Sequence, residues 1–288
     1  MMSYKTLGKG IVSIKGKNKG PTIGIVCNVH GNELCGRKAV HRVLEEYAIE
    51  RGTLILIDGN QEAALLNRRF VNSDMNRMFT NKQLKKKNAK NDLARAQYLA
   101  EVIPTLGIDY AIDFHSTSTQ TKYPFTVSFP GSEAITDLCP MPRIYGWTGI
   151  VEGSLVEFMN KENIPAVVVE AGQHFANNSI RVAEKTLHSV LSHFGIITLE
   201  KSTKQQKQKA FEVIENISVG DAASYKFTKL YGCFDELKPG EKIAKDKTKT
   251  YKSPKEKGLQ IMMPALQENI TNGISPNAYY LIRPISKL

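Results

Sequence analysis

An α/β fold, a sheet with helices on both faces followed by a smaller β-rich domain, is what the order of apolar segments along this chain predicts. Apolar blocks alternate with amphipathic helical stretches through the first two hundred residues, the pattern of a sheet that must be covered on both sides. Beyond Gly195 the texture changes to short β-rich runs broken by Gly and Pro. The two textures meet at a polar Lys/Gln stretch, Lys201 to Gln208, which reads as a boundary. The expected division is a first domain over 1–200 and a second over 201–288, and 288 residues suffice for a core plus a smaller module.

The first strand is the apolar run Thr22 to Val29, and a helix is expected from about Glu33 to Glu50, with Leu34, Val40, Val43, Leu44 and Tyr47 among its apolar positions. Thr53 to Asp58 is a second strand and Asn91 to Leu106 a second helix. Ile108 to His115 forms the next strand, Phe125 to Phe129 a short one, Glu152 to Asn163 a helix, and the β-branched run Ala166 to Glu170 a further strand. The last helix of the first part, Asn177 to Phe194, repeats apolar residues at Ile180, Ala183, Leu187, Val190, Leu191 and Phe194. Four strands are expected after the boundary: Ala210–Ile217, Ala223–Leu230, Leu259–Met263 and Tyr279–Ile282. No internal repeat is evident.

Chemistry concentrates where predicted strands hand over to loops, which is where open α/β sheets place ligands. In His30-Gly31-Asn32-Glu33 an imidazole and a carboxylate lie three residues apart, and at the first turn of a helix such a pair shares one face. Zinc takes both atom types at about 2.0–2.2 Å and needs three protein ligands beside an open position. His115, at the end of another buried strand, completes a His, Glu, His set for one zinc ion per chain. Glu170 ends the most β-branched strand, where an unpaired carboxylate is costly to bury, and in a zinc hydrolase it would be the general base. The segment Asn67 to Phe79 carries three arginines among side-chain amides, and guanidinium groups bind carboxylates or steady a developing oxyanion.

Taken in order, His30-Gly31-Asn32-Glu33, Asp74-Met75-Asn76-Arg77 with Arg69 seven residues before Asn76, Asp113-Phe114-His115 and Val169-Glu170-Ala171-Gly172 resemble the succinylglutamate desuccinylase and aspartoacylase family, a relative of the zinc carboxypeptidases. The resemblance spans roughly residues 20–195. It implies a carboxypeptidase-like mixed sheet flanked by helices, a β-rich C-terminal domain partly covering the cleft, and a zinc-dependent hydrolase that cleaves the amide of an N-acyl amino acid. It further implies that His30, Glu33 and His115 hold zinc, that Glu170 activates water, that Arg69 polarises the scissile carbonyl and that Asn76 and Arg77 grip a substrate carboxylate. Met75 stands where the family usually has Leu, a mild change in volume and polarity. A further basic or tyrosine residue is expected to close the pocket, with Tyr279 or Tyr280 the candidates. The alternative activity is a zinc carboxypeptidase acting on short peptides or peptidoglycan fragments.

Composition narrows the classes. The formal charge is +11, with +7 over residues 201–288 and +4 over 1–200, and most of the excess sits in lysine-rich loops such as Lys82 to Lys87 and Lys242 to Lys257. Without aromatic interleaving these read as solvated faces, so no nucleic-acid partner is expected, though the field would draw in a small anionic substrate. No apolar run approaches the roughly 20 residues of a membrane span, and Met1 to Thr6 lacks a secretory h-region, so the expectation is a cytoplasmic protein without a membrane partner. Cys27, Cys35, Cys139 and Cys233 form no C-x-x-C pair, which argues against a disulfide framework and a thiolate metal site. Nothing in the sequence speaks against a homo-oligomer.

Overall fold

Strands buried on both faces must be built of Ile, Val and Ala with few polar interruptions. Ile23–Cys27, Ala111–Phe114 and Ala166–Val169 meet that condition and lie side by side at the middle of the sheet. The computed structural model of the chain describes residues 3–199, 208–272 and 274–285. In chain order, a hairpin of β1 (Ser3–Gly8) and β2 (Ile11–Lys15) leads into β3 (Asn18–Cys27), α1 (Cys35–Glu46) and β4 (Arg51–Asp58). Next come α2 (Gln61–Leu65), a 3-10 turn at Met75–Arg77, α3 (Asn81–Leu84) and α4 (Asn91–Val102). They are followed by β5 (Tyr110–Thr117), β6 (Phe125–Val127), α5 (Glu133–Thr136), β7 (Arg143–Tyr145), α6 (Leu155–Lys161), β8 (Ala166–Gln173) and α7 (Asn177–His193). The C-terminal part adds β9 (Ala210–Ser218), β10 (Lys226–Phe227), β11 (Asp235–Glu236), β12 (Lys242–Lys245), β13 (Thr250–Lys252), β14 (Gln260–Met262), α8 (Gln267–Thr271) and β15 (Asn277–Pro284).

The main sheet is mixed, as expected, and runs β1-β2-β4-β3-β5-β8-β6-β7-β9-β15-β14-β11. Its centre, β4-β3-β5-β8, is parallel, and antiparallel pairings flank it on both sides, β2 with β4 and β6 with β8. Alternation along β3 sends Ile23, Ile25 and Cys27 into one core and Val26 into another. Val40 and Val43 of α1 with Leu187 and Val190 of α7 cover the first face; Leu99 of α4 with Leu155 and Met159 of α6 cover the second. Each such buried side chain stabilises by about 1.5–3 kcal/mol relative to exposure. A third core joins β12 and β13 to β14 and β15 through Ile243, Tyr251, Ile261, Tyr279 and Leu281. The main sheet itself continues into the C-terminal part, because β7 pairs with β9 and β9 with β15. The expected boundary at Lys201 to Gln208 lies, save for Gln208, outside the described residues.

Two differences from the expected elements bear on function. The helix expected at Glu33 to Glu50 is shorter at both ends. At its start, Asn28 adopts φ 58°, a left-handed conformation that Asn tolerates, so the strand stops at Cys27 and His30 to Glu33 form a turn closed by the Glu33 N–H donating to His30 O at 3.0 Å. At its end, Tyr47 is extended and the Glu50 N–H donates to Ile196 O at 2.8 Å, which ties the chain to the end of α7's loop instead of prolonging the helix. Of the run Ala223–Leu230, only Lys226–Phe227 is strand, while Tyr225 and Tyr231 enter the third core from either side of it.

Candidate metal centre and cleft

His30 and Glu33 reach the edge of the sheet through the turn after β3, and Gly31 makes that turn possible. A methyl group at Gly31 would overlap the backbone of Ala63 and Ala64, against which the turn is packed. His115 comes from β5 and Glu170 from β8, and the parallel ladder sets these two directly abreast, so both project from the same face. All four are buried. The third and fourth groups thus owe their meeting to strand register, and the first two to a local turn.

The donor atoms converge. His30 Nδ1 lies 2.9 Å from Glu33 Oε1, His115 Nδ1 lies 2.9 Å from Glu33 Oε2, and the two Nδ1 atoms are 3.2 Å apart. Atoms that ligate zinc tetrahedrally at 2.0–2.1 Å stand about 3.3 Å from one another. The outer ring nitrogens are also engaged: His30 Nε2 meets Asp74 Oδ1 at 3.1 Å, and His115 Nε2 meets Asp113 Oδ2 at 2.9 Å. A carboxylate there holds the proton on Nε2 and turns the Nδ1 lone pair inward, the arrangement by which proteins orient metal-binding imidazoles. Two inward lone pairs and a carboxylate need positive charge among them, a proton or a metal ion. His115 shows the demand: burial opposes its charged form, yet Asp113 and Glu33 hold its pKa well above the usual histidine value. Burial would likewise raise Glu33, but His30 and His115 keep it well below the usual carboxylate range. The donor set therefore fits a divalent ion, and among the described residues His30, Glu33 and His115 form one group able to hold it.

Glu170 differs from Glu33. Burial, with Glu33 and Asp113 nearby, pushes its pKa up to about 8 against the pull of His115 and Arg69. Its Oε2 is buried without a hydrogen-bond partner among the described residues. Arg69 bonds Asp74 Oδ2 through Nε at 3.3 Å and Nη2 at 3.0 Å, and Nη1 reaches Glu33 Oε1 at 3.4 Å. Arg77 is exposed, with Nη1 donating to Asn76 O at 2.7 Å. Asn76 is buried, its Oδ1 accepting from the Leu155 N–H at 2.9 Å. His30, Glu33, Arg69, Arg77 and Glu170 all face one cleft of about 550 Å³. Asn76 and His115 are not on its lining, although Ser116, the neighbour of His115, is. A larger hollow, about 670 Å³, lies apart from these residues beside α7 at Asp137, Ser189 and His193.

Several supporting groups carry no assigned role at the level of sequence. Asp74 and Asp113, there only members of the motifs, orient the two imidazoles, and the two-residue spacing of Asp113 from His115 puts both on one face of β5. His174 lines the cleft with Nδ1 2.8 Å from Ser116 Oγ. Asp92 on α4, fully buried, accepts the N–H groups of Val71, Asn72 and Ser73 and the amide of Asn60, and so fastens the loop that carries Arg69 and Asp74. Of the two candidate pocket-closing tyrosines, Tyr280 reaches the cleft and Tyr279 is in the third core.

A family model, the succinylglutamate desuccinylase/aspartoacylase catalytic domain, matches residues 19–194. Among solved structures, the chain resembles a succinylglutamate desuccinylase from Vibrio parahaemolyticus, with 15% identity, a TM-score of 0.77 and coverage of 99% of this chain and 91% of that one. It resembles the Chromobacterium violaceum succinylglutamate desuccinylase at 17% identity and TM-score 0.76, covering 99% and 92%. The product-bound ectoine utilization protein EutE (DoeB) from Ruegeria pomeroyi is similar at 18% identity and TM-score 0.70, covering 96% and 88%. At such identities the structural likeness speaks to the fold. No curated protein sequence matches this chain.

Proposed function

The chain belongs to the succinylglutamate desuccinylase/aspartoacylase family, and on that footing we propose that it is a zinc-dependent hydrolase that cleaves the amide bond of an N-acyl amino acid, releasing a carboxylic acid and a free amino acid. The observation that carries this reading is the convergence of His30 Nδ1, the Glu33 carboxylate and His115 Nδ1, with separations near 3 Å, beside Glu170, whose Oε2 has no hydrogen-bond partner among the described residues. Zinc held by these three residues would supply Lewis acidity that makes water a nucleophile at neutral pH.

The chain's own residues do the rest. Glu170, poised near neutrality by burial, takes a proton from the attacking water and returns it to the leaving nitrogen. Arg69, held in place by Asp74, presents its guanidinium to the negative charge that develops on the carbonyl oxygen. Arg77 binds the substrate carboxylate from the cleft wall; Asn76, buried off the lining with its oxygen accepting from the Leu155 N–H, holds the turn that presents Arg77. Residues 1–200 act as the catalytic domain and 201–288 as the domain that supplies the outer wall of the cleft. No helix among the described residues is long and apolar enough to cross a membrane, and a cytoplasmic enzyme of small substrates is part of the same proposal.

The test is incubation of zinc-loaded protein with a panel of N-acetyl and N-succinyl amino acids, following free amine. Turnover that a chelator abolishes and zinc restores is the expected result; protein that binds no zinc, or turnover indifferent to chelation, would end the proposal.

A further inference from the structure

Charge is unevenly placed around the cleft. Its three arginines, Arg68, Arg69 and Arg77, all come from the segment between α2 and α3. The facing wall, from the C-terminal part, is lined by apolar and amide groups such as Met263, Leu266, Ile274 and Asn269, and its single charged group among the described residues is Glu268. Arg69 is engaged by Asp74 and Glu33, whereas Arg68 and Arg77 make no ion pair among the described residues. Tyr280 stands near Arg77, whose charge acts on its phenol, and its Oη accepts from Asn277 Nδ2 at 3.3 Å, which leaves the hydroxyl proton free to donate.

One carboxylate is therefore matched by Arg77 and the Tyr280 hydroxyl, and Arg68 lies on the same cleft. A second carboxylate directed at the C-terminal wall would find no cation among its described residues and would meet Glu268, which is exposed and makes no ion pair among them. We infer that the substrate is an N-acyl amino acid with a single carboxylate, whose remaining side chain is apolar or bears an amine, and that Glu268 is a specificity-determining residue that disfavours a second carboxylate. This rests on the hydrolase reading above and narrows it.

The experiment compares kcat/KM of the zinc-loaded full chain for N-acetyl-L-leucine, N-acetyl-L-lysine, N-acetyl-L-aspartate and N-succinyl-L-glutamate, in wild type, Glu268→Gln and Glu268→Lys. Inhibition by free L-lysine and L-aspartate provides a binding readout. Wild type should favour the first two compounds. Glu268→Lys should raise the aspartate-to-lysine ratio about tenfold, the order expected for reversing one charge in a wet cleft against side chains of opposite sign, and Glu268→Gln by less. The shift should shrink at high salt. A wild-type preference for N-acetyl-L-aspartate or N-succinyl-L-glutamate, which carry two and three carboxylates, or ratios unmoved by the charge reversal, would overturn the specificity inference alone. Absence of turnover on every compound would overturn the hydrolase reading and this inference with it.

Discussion

Asp92 offers a quantitative test of how the cleft is held. Its Oδ1 accepts from Val71 N at 3.0 Å and Asn60 Nδ2 at 2.7 Å, and its Oδ2 accepts from Asn72 N at 2.7 Å and Ser73 N at 3.1 Å. In Asp92→Asn one oxygen becomes an NH2 group, and because each oxygen serves two donors, either orientation of the amide leaves two donors facing a donor. Each buried unsatisfied group costs about 1–3 kcal/mol, so the variant should lose about 2–6 kcal/mol unless the loop lets go. That is a large share of the 5–15 kcal/mol typical of folded proteins and corresponds to a fall in Tm on the order of 5–20 °C. If the loop lets go, water satisfies the donors and Arg68 and Arg69 become open to trypsin. Urea or thermal unfolding with limited tryptic digestion distinguishes the two routes. A variant as stable as wild type and equally resistant at Arg68 and Arg69 would refute the account of Asp92 as the fastening of this loop.

Asp113→Asn removes the charge that holds the His115 ring, and zinc affinity measured against a competing chelator should weaken 10–100-fold while His115→Ala abolishes binding. Glu170→Gln should keep its zinc, measured by metal analysis, yet lose about 10²–10⁴-fold in turnover. Gly31→Ala should lower both stability, by about 1–3 kcal/mol or more, and zinc content, because the added methyl displaces the ligand turn from Ala63. All four cysteines are buried, and burial pushes Cys35, Cys139 and Cys233 up to about 12 and Cys27 well above its ordinary value. At pH 8 a thiol reagent should therefore react slowly with native protein and promptly, at four sites, after unfolding.

The parts of the fold legible in the sequence are those where one physical demand acts locally. β3, β5 and β8 are buried on both faces and announce themselves as Ile/Val runs, and α7 shows its stripe from Ile180 to Leu191. β1, at the sheet margin and exposed, offers no such run, and in β2 the buried Ile11 and Ile14 belong to a stretch of only five residues, too short to announce a strand by itself. At the site, His30, Glu33, His115 and Glu170 stood out because strand ends rarely keep unpaired polar groups without cause, and the structure brings all four together. Asp92 could not be found that way. Its partners are backbone N–H groups about twenty residues upstream, and backbone donors carry no side-chain signature. Asn76 shows the converse: its position in a motif says nothing about which of its atoms a neighbouring helix has already claimed.

The pairing of β7 with β9 and of β9 with β15 has a mechanical meaning. Tyr280 and Asn277 sit on a strand stitched by main-chain bonds to the same sheet that carries His115, so moving them away would tear hydrogen bonds row by row. The part of the rim that Asn277 and Tyr280 form is thus fixed in place, and any give in that wall belongs to the segment between β14 and β15 that carries Glu268.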